Sequence, residues 1–413
     1  MNYSKESVNK ILEHEESIIK SILDTDLYTF SLCYLYLQKF PRAIGRYNFI
    51  DRNNTCYPKG FAEQVQKQIK LMENIEFSND ESIFMSKNCQ YYPIWYFTFL
   101  KGYKFDSSEV TISQDEDGHL FINIEGYLWK TVFWEQPILA IVSELAHKMN
   151  GDFDKYNTKK EYNKSYDKCK KLIDANVNFS EFGTRRRFSI EHQKLVIKSF
   201  IDCMKNHNNG YGLVGTSNVH FAMKFNIKPI GTMAHQYISL IASIYGPVEA
   251  NNIAMNIWEE VYQGSLGTFL YDTLTKEVFM KNFSLKNALL FEGIRVDSGS
   301  NIEALEDFIL KYKSLGIDPT TKTIIFSNAL DVNKAIEIHN VIDGRMKNSM
   351  GIGTYFTCDI DNVKPSNMVI KLTSAKITEA REWNNCIKFS DDKGKYTGDK
   401  ETIEVYKKLL NIK

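Results

Sequence analysis

Six short polar segments in the middle of this 413-residue sequence contain the side chains best suited to chemistry. Each segment follows a short apolar run that is typical of a buried β-strand. Loops that follow the strands of a parallel α/β barrel share one face, so we expect the six segments to meet in one pocket. They are residues 181–187, 215–218, 231–235, 295–299, 327–328 and 351–354.

Glycines and arginines in these segments indicate an anionic ligand. Gly351 and Gly353 allow backbone N–H groups to approach an anion closely, and the Thr354 hydroxyl adds a donor. An ordinary glycine turn between strand and helix explains the same spacing equally well. Residues 185–187 are three consecutive arginines after a strand, and a guanidinium binds carboxylates and phosphates bidentately. One or two of them are expected in the pocket.

Other candidate residues have both a functional and a structural interpretation. Ser217 lies in a donor-rich turn and is either an anion ligand or a helix cap. Arg295 and Asp297 share one face of a strand, so they either pair with each other or divide between an anion and ribose hydroxyls or a metal. His235 follows a strand end, where a histidine serves as acid, base or nucleophile, or simply caps or packs a helix. His220 is a weaker rival.

The composition excludes several classes of protein. The 51 basic and 51 acidic residues balance, so no net charge attracts nucleic acid or an anionic membrane. No apolar run approaches the about 20 residues of a membrane span, and the N-terminus lacks the features of a secretory signal. The seven cysteines have neither disulfide nor zinc-ribbon spacing. We therefore expect a cytoplasmic protein with reduced cysteines that binds neither nucleic acid nor membranes.

The pattern of elements divides the chain into two units. Residues 1–150 begin with an amphipathic helix over 4–23, capped by Ser4, and continue with alternating, aromatic-rich runs such as 92–99. In residues 151–360 strands and helices alternate, which predicts parallel strands with right-handed crossovers. Residues 361–413, with hairpin-like runs at 368–377 and 386–389, are expected to rejoin the first unit. The predicted strands of the second unit are 176–182, 213–215, 229–231, 267–271, 288–296, 323–326 and 350–352.

The candidate segments, taken together and in order, resemble the nicotinate phosphoribosyltransferase family. The resemblance implies an irregular α/β barrel of the type II phosphoribosyltransferase kind plus an N-terminal α/β domain completed by the C-terminal segment. It also implies the conversion of nicotinate and phosphoribosyl pyrophosphate to nicotinate mononucleotide and pyrophosphate, coupled to ATP hydrolysis, in NAD biosynthesis. The segments that carry it are Asp24–Tyr28, Glu181–Arg187, Gly215–Asn218, Gly231–His235, Arg295–Gly299, Gly351–Thr354 and Ile387–Asp391.

The resemblance assigns roles to individual residues. His235 would be phosphorylated by ATP, Arg295 would hold the nicotinate carboxylate, and Tyr28 would line the ring. Tyr28 lies in the first unit and would reach the site across a domain or subunit interface, which in this family is expected to be that of a homodimer. Asp297 would serve the ribose hydroxyls or a metal, and Mg²⁺ is the implied ion. The other residues that would bind substrate are Phe182, Thr184, Arg187 and Thr232, and those that would bind phosphate are Ser217, Ser327, Asn328, Gly351, Gly353 and Thr354.

Two departures from the family pattern and two rival functions accompany this interpretation. Ser300 stands where many relatives have an aspartate, which puts any ribose or metal role at that position in doubt. Residues 327–330 read Ser-Asn-Ala-Leu rather than beginning with the usual Ser-Gly or Ser-Asp pair, although Asn328 can still donate to phosphate. The rivals are a nicotinamide or quinolinate phosphoribosyltransferase and a protein that binds such compounds without turnover.

Overall fold

A computed structural model describes residues 16–207, 209–392 and 396–412, and two β-sheets form its framework. The strands are β1 (Ile44–Asp51), β2 (Val110–Gln114), β3 (Leu120–Tyr127), β4 (Phe179–Glu181), β5 (Leu213–Thr216), β6 (Lys228–Pro229), β7 (Thr268–Leu270), β8 (Gly293–Val296), β9 (Thr323–Phe326), β10 (Lys347–Ile352), β11 (Met368–Lys376) and β12 (Asn384–Asn385). The helices are α1 (Leu27–Lys39), α2 (Phe61–Leu71), α3 (Asn79–Asn88), α4 (Ile94–Gly102), α5 (Leu128–Thr131), α6 (Glu135–Met149), α7 (Thr158–Asp174), α8 (Ile190–Asn206), α9 (Val219–Phe225), α10 (His235–Tyr245), α11 (Ala250–Tyr262), α12 (Lys276–Asn282), α13 (Leu285–Leu290), α14 (Asn301–Ser314), α15 (Val332–Ile342), α16 (Thr354–Thr357) and α17 (Lys400–Leu410).

The first sheet is antiparallel and joins the two ends of the chain. Its strand order is β12-β11-β1-β3-β2. Strand β11 pairs with the whole of β1, from Ile44 opposite Lys376 to Asp51 opposite Met368. Buried apolar residues alternate with exposed residues along most of β3, as expected when one face of a sheet is covered. The C-terminal strand therefore completes a sheet that the N-terminal part begins.

The second sheet is parallel and carries the α/β barrel that the sequence predicts. Its strand order is β6-β5-β4-β10-β9-β8-β7, so the first and last strands of the unit, β4 and β10, are neighbours in its middle. All seven predicted strands are present, with boundaries that differ by a few residues. Within the described residues the edge strands β6 and β7 are not hydrogen-bonded to each other, and the curled sheet is thus an irregular barrel.

Helix α6 connects the two sheets. It packs against β11 of the first sheet and against a one-turn 3₁₀ helix, Thr184–Arg186, that follows β4. Nearly all of its side chains are buried, which is typical of a helix enclosed on every side. Because one rigid element touches both, the first sheet and the mouth of the barrel have a fixed relation.

Three predicted elements differ from those observed. The aromatic run 92–99 looks extended in sequence but mostly belongs to helix α4, whose rings pack against Tyr34. Residues 16–23 of the predicted N-terminal helix are not helical, because buried isoleucines and a hydrogen bond from Ile18 N–H to Gln68 hold them in an irregular path. Residues 4–15, with the proposed Ser4 cap, lie outside the described residues. Residues 386–389 form no strand of their own.

Two further predictions from the sequence concern membrane spans and the state of the cysteines. Across the described residues, no helix combines the length and the apolar character needed to span a bilayer. All seven cysteines are free thiols, six of them buried.

Candidate functional site

A cavity of about 1370 Å³ opens between the carboxyl ends of the barrel strands and the first sheet. Its wall includes the loops after β4, β5, β6, β8, β9 and β10 together with residues of β1 and β11, so the polar segments do meet. All but two of the predicted site residues line it. Those that line it are Tyr28, Phe182, Ser217, Thr232, His235, Arg295, Asp297, Ser327, Asn328, Gly351, Gly353 and Thr354.

The two exceptions are Arg187 and Thr184, which lie behind the cavity wall. Arg187 is fully buried and donates to both carboxylate oxygens of Asp24, at 2.6 and 2.8 Å. The 3₁₀ turn sends successive side chains in different directions, so Arg185 and Arg186 line the cavity instead. The Arg187 guanidinium, predicted to bind substrate, is thus held by Asp24 behind the cavity wall in this structure.

His235 is the first residue of α10 and has three close partners. Its Nδ1 lies 2.9 Å from the Thr273 hydroxyl, and its Nε2 lies 3.1 Å from Asp297 Oδ2 and 3.0 Å from Lys388 Nζ. Burial and the positive charge of Lys388 lower the pKa of His235 to about 4, against the opposing effect of nearby aspartates. The imidazole is thus neutral at pH 7 and able to act as a nucleophile. His220, the rival, does not line the cavity.

Arg295 and Asp297 pair with each other and also face the cavity. Arg295 Nη2 donates to Asp297 Oδ1 at 3.0 Å, and its Nε donates to Ser327 Oγ at 2.9 Å. Ser327 in turn donates to Asp297 at 2.6 Å. Burial alone would raise the pKa of Asp297, but Arg295 and His235 hold it well below its usual range. The two interpretations of this pair are therefore compatible, since an ionised Asp297 orients a guanidinium at the cavity wall.

The glycine loop after β10 owes its path to close packing with Phe182. A Cβ on Gly351 would lie 2.5 Å from the Phe182 ring, and one on Gly353 would lie 3.0 Å from the Phe182 carbonyl oxygen. Gly353 precedes the short helix α16, which begins at Thr354. Only glycine at these positions allows the loop and the aromatic ring to share one wall of the cavity.

Gly351→Ala is expected to displace the Phe182 ring and destabilise the fold by about 1–3 kcal/mol, because the added methyl overpacks the wall. Thermal unfolding measures the loss of stability. Gly102→Ala is the matched control, since no atom lies within 4 Å of its added Cβ. Equal melting temperatures for the two variants would contradict this account.

Ser300, the position where the family aspartate is absent, has a structural role. Its hydroxyl accepts a hydrogen bond from Glu303 N–H at 3.4 Å and caps helix α14. Asn328, in the other departure, donates to the Gly299 carbonyl at 2.8 Å and so fixes the neighbouring loop. Neither departure removes a side chain from the group around His235.

Several charged residues of the cavity were not named individually among the site residues predicted from the sequence. Lys371 lies on β11, and Lys388 follows β12, so both approach the barrel from the first sheet. Burial, together with Lys388, lowers the pKa of Lys371 to about 7, with Glu135 opposing the shift. Burial and Arg185 lower the pKa of Arg186 to about 9. Only the tertiary fold unites these cations, although Lys388 lies in the segment 387–391 that carries part of the resemblance.

Anion binding in the cavity is expected to weaken as pH rises through 7, because Lys371, which interacts with Lys388, Glu135, Arg185 and Arg52, loses its proton there. A group with this pKa changes affinity by up to about tenfold between pH 6 and pH 8. Calorimetric titration with inorganic sulfate, whose own charge is constant between these two pH values, measures it. Lys371→Met should flatten the dependence, whereas Lys376→Met, on the same strand beside Trp383, should leave it intact. An unchanged profile in Lys371→Met would contradict the assignment.

Tyr28 reaches the cavity within its own chain. Its hydroxyl donates to Glu135 Oε2 at 3.2 Å and accepts from the Gln136 side chain, both at the start of α6. Burial raises the pKa of Glu135, and Gln236 donates to the same oxygen at 3.3 Å. A second subunit is thus not needed to bring Tyr28 to the site, in contrast to the expectation from the resemblance.

Within the part of the chain that the structure describes, the cavity lining contains no group of three side chains spaced to hold a metal ion. Among the described residues, the one group of three side chains spaced to hold an ion is Asp115, Asp117 and His119, on the exposed turn between β2 and β3. At the cavity, ionised Asp297 is a carboxylate that fits Mg²⁺. Magnesium commonly binds through one or two carboxylates plus substrate phosphates, and the residues present fit that mode.

Comparison with known proteins agrees with this architecture. The nicotinate phosphoribosyltransferase (NAPRTase) family model matches residues 177–413, and the model of its N-terminal domain matches residues 23–143. A nicotinate phosphoribosyltransferase from Desulforapulum autotrophicum is 40% identical over 393 residues, covering 95% of this chain and 99% of that protein. One from Chromohalobacter salexigens is 39% identical over 396 residues, with 96% and 99% covered.

Solved structures give the same result. The crystal structure of nicotinate phosphoribosyltransferase from Porphyromonas gingivalis is 42% identical and superposes with a TM-score of 0.90, covering 95% of this chain and all of that one. That of a putative nicotinate phosphoribosyltransferase from Saccharomyces cerevisiae is 30% identical with a TM-score of 0.90, covering 96% and 99%. The chain therefore belongs to the nicotinate phosphoribosyltransferase family.

Proposed function

We propose that this protein forms nicotinate mononucleotide and pyrophosphate from nicotinate and phosphoribosyl pyrophosphate, coupled to ATP hydrolysis through phosphorylation of His235, as a step of NAD biosynthesis. The observation that carries the proposal is one cavity in which a neutral histidine stands beside arginines and lysines. Such a cavity suits a polyanionic substrate and a nucleophile that accepts a phosphoryl group. The names of the relatives supply the identity of the substrates.

In the proposed reaction the pyridine nitrogen attacks C1 of the ribose while pyrophosphate leaves with the bonding electrons. Positive charge develops on the sugar and negative charge on the leaving group, so positioning and electrostatics supply most of the catalysis. Arg295 would bind the nicotinate carboxylate, with Phe182 and Tyr28 beside the ring. Asp297 would accept hydrogen bonds from the ribose hydroxyls.

The two phosphate-bearing ends of phosphoribosyl pyrophosphate would bind on different walls of the cavity. The backbone at Gly353 and the hydroxyl of Thr354 would hold the 5-phosphate. The cationic wall of Arg185, Arg186 and Lys388 would hold the pyrophosphate as its charge grows. A bound Mg²⁺ supplies further neutralisation of that charge, and Asp297 is the carboxylate on this chain that suits it.

His235 would accept the γ-phosphoryl group of ATP on a ring nitrogen, releasing ADP, and later transfer it to water. Its low pKa keeps a lone pair available at neutral pH. Thr273 fixes the ring by its contact with Nδ1, and Asp297 lies at Nε2. Lys388, 3.0 Å from the same nitrogen, would neutralise the new phosphoryl charge.

The homodimer and the cytoplasmic location are also part of the proposal and rest on the family resemblance. Sedimentation of the purified protein tests the dimer. A mass of one chain, 47.9 kDa, at assay concentration would exclude it.

The test of the proposed function is product formation from phosphoribosyl pyrophosphate and Mg²⁺ with nicotinate, nicotinamide or quinolinate, each with and without ATP. Selective formation of nicotinate mononucleotide, faster with ATP, is expected. Preference for another pyridine would favour the related phosphoribosyltransferases. Tight binding with no turnover of any pyridine would favour a non-catalytic binding protein.

A further inference from the structure

Directly behind the cavity lies an ion pair that the proposed chemistry does not use. Arg187 and Asp24 are both 0% exposed, and the guanidinium binds the carboxylate through two parallel hydrogen bonds. Burial alone would raise the pKa of Asp24, but Arg187 and Asn218 overcome it and keep the carboxyl ionised. The cost of desolvating two charges offsets most of their attraction, so net stability is a weak reason for such a pair.

The pair joins the segments that supply three different parts of the cavity wall. Arg187 follows Arg185 and Arg186, which line the cavity on the turn after β4. Asp24 precedes α1, which presents Tyr28 to the same cavity. Asn218, after β5, donates to Asp24 Oδ1 at 2.8 Å. The Asp24 carboxylate thus connects the turn that carries Arg185 and Arg186, the helix α1 that carries Tyr28, and the loop after β5.

Neighbouring contacts repeat the same connection. Ser217 lines the cavity and donates to Asp26 at 2.6 Å, and its carbonyl accepts from Leu27 N–H at 2.8 Å. On the other side, Gln193 accepts from Arg187 at 3.2 Å and donates to Glu181, at the end of β4. Each of these groups has a fixed partner. A change at the ion pair is therefore expected to move both the Arg185–Arg186 turn and the segment that carries Tyr28, rather than one side chain.

We propose that Asp24 and Arg187 are positioning residues: their ion pair sets the place of the Arg185–Arg186 turn relative to Tyr28 and thereby the affinity for both substrates. This inference rests on the proposed function, because the substrates are those of that reaction. Neither residue lines the cavity, and both act through the cavity residues near them in sequence.

The experiment compares variants that break the pair with one that removes it. Arg187→Met alone leaves a buried unpaired carboxylate and is expected to fold poorly. The double variant Asp24→Leu, Arg187→Met removes both charges, and such replacements are often neutral for stability. We expect it to melt near the wild-type temperature yet to show KM values at least tenfold higher for nicotinate and for phosphoribosyl pyrophosphate, with a smaller change in kcat. Wild-type KM values in the folded double variant would overturn the proposal.

Two further arms keep the result interpretable. Arg187→Lys retains both charges but loses the bidentate geometry, so it should raise both KM values even if the double variant does not fold. Glu306→Leu with Arg345→Met removes another bidentate pair that does not line the cavity, and it should leave KM unchanged. If the wild-type protein shows no turnover, the proposed function fails. Calorimetric binding of inorganic pyrophosphate to the wild type and the double variant then decides the positioning role, which equal affinities would overturn.

Discussion

Replacing His235 with alanine is expected to abolish the stimulation of product formation by ATP. The neutral imidazole is the nucleophile best placed in the cavity, held by Thr273 and flanked by Asp297 and Lys388. Alanine offers no atom to accept the phosphoryl group, so the ATP-dependent rate should fall by about 10²-fold or more. Assays with and without ATP measure the effect, and transfer of radioactive phosphate from γ-labelled ATP to the protein measures its cause.

The matched control for this experiment is His220→Ala. His220 follows the loop after β5, and its backbone N–H donates to the Leu23 carbonyl, away from the cavity lining. This variant should retain both phosphate labelling and the response to ATP. Full stimulation by ATP in His235→Ala would show that the phosphoryl group is carried elsewhere or not carried at all.

The barrel could be predicted from the sequence because its strands are short apolar runs between helices of clear periodicity. Boundaries were less predictable where an apolar run contains two elements. Residues 288–296 look like one strand, yet 288–290 end helix α13 and only Gly293–Val296 form β8. Apolar content alone does not distinguish a buried strand from a buried helix. The extended structure expected for the aromatic run 92–99 was wrong for a related reason, since aromatic rings pack equally well from a helix.

The candidate site was predictable where its residues belong to the loops after parallel strands, because such loops share one face of the sheet. Arg187 shows the limit of that argument. Three consecutive arginines give no sign of which one faces the cavity, because the direction of each depends on the turn after β4. Lys371 shows a second limit: it lies on β11, and only the pairing of β11 with β1 brings this C-terminal strand to the barrel.

Arg295→Lys is expected to raise the KM for nicotinate by roughly 10- to 150-fold, equivalent to the about 1.5–3 kcal/mol of a hydrogen bond to a charged group. Two nitrogens of the Arg295 guanidinium already hold Ser327 and Asp297, and its planar shape leaves a further edge for a carboxylate. A lysine ammonium keeps the charge but lacks the fork, so it cannot hold both neighbours and the substrate in the same plane. Steady-state kinetics with nicotinate and nicotinamide, run in parallel, measure the change.

The decisive measurement on Arg295→Lys is which of the two substrates is affected. If Arg295 binds the carboxylate, Arg295→Lys should lose much more of its preference for nicotinate than of its response to phosphoribosyl pyrophosphate. Arg345→Lys, at a surface ion pair with Glu306, should change neither. An equal rise in KM for both substrates would instead mean that Arg295 acts by holding Asp297 and Ser327 in place, because Asp297 also contacts His235 and both residues line the cavity. The carboxylate would then have to be bound by Arg185 or Arg186, the other arginines at the barrel mouth.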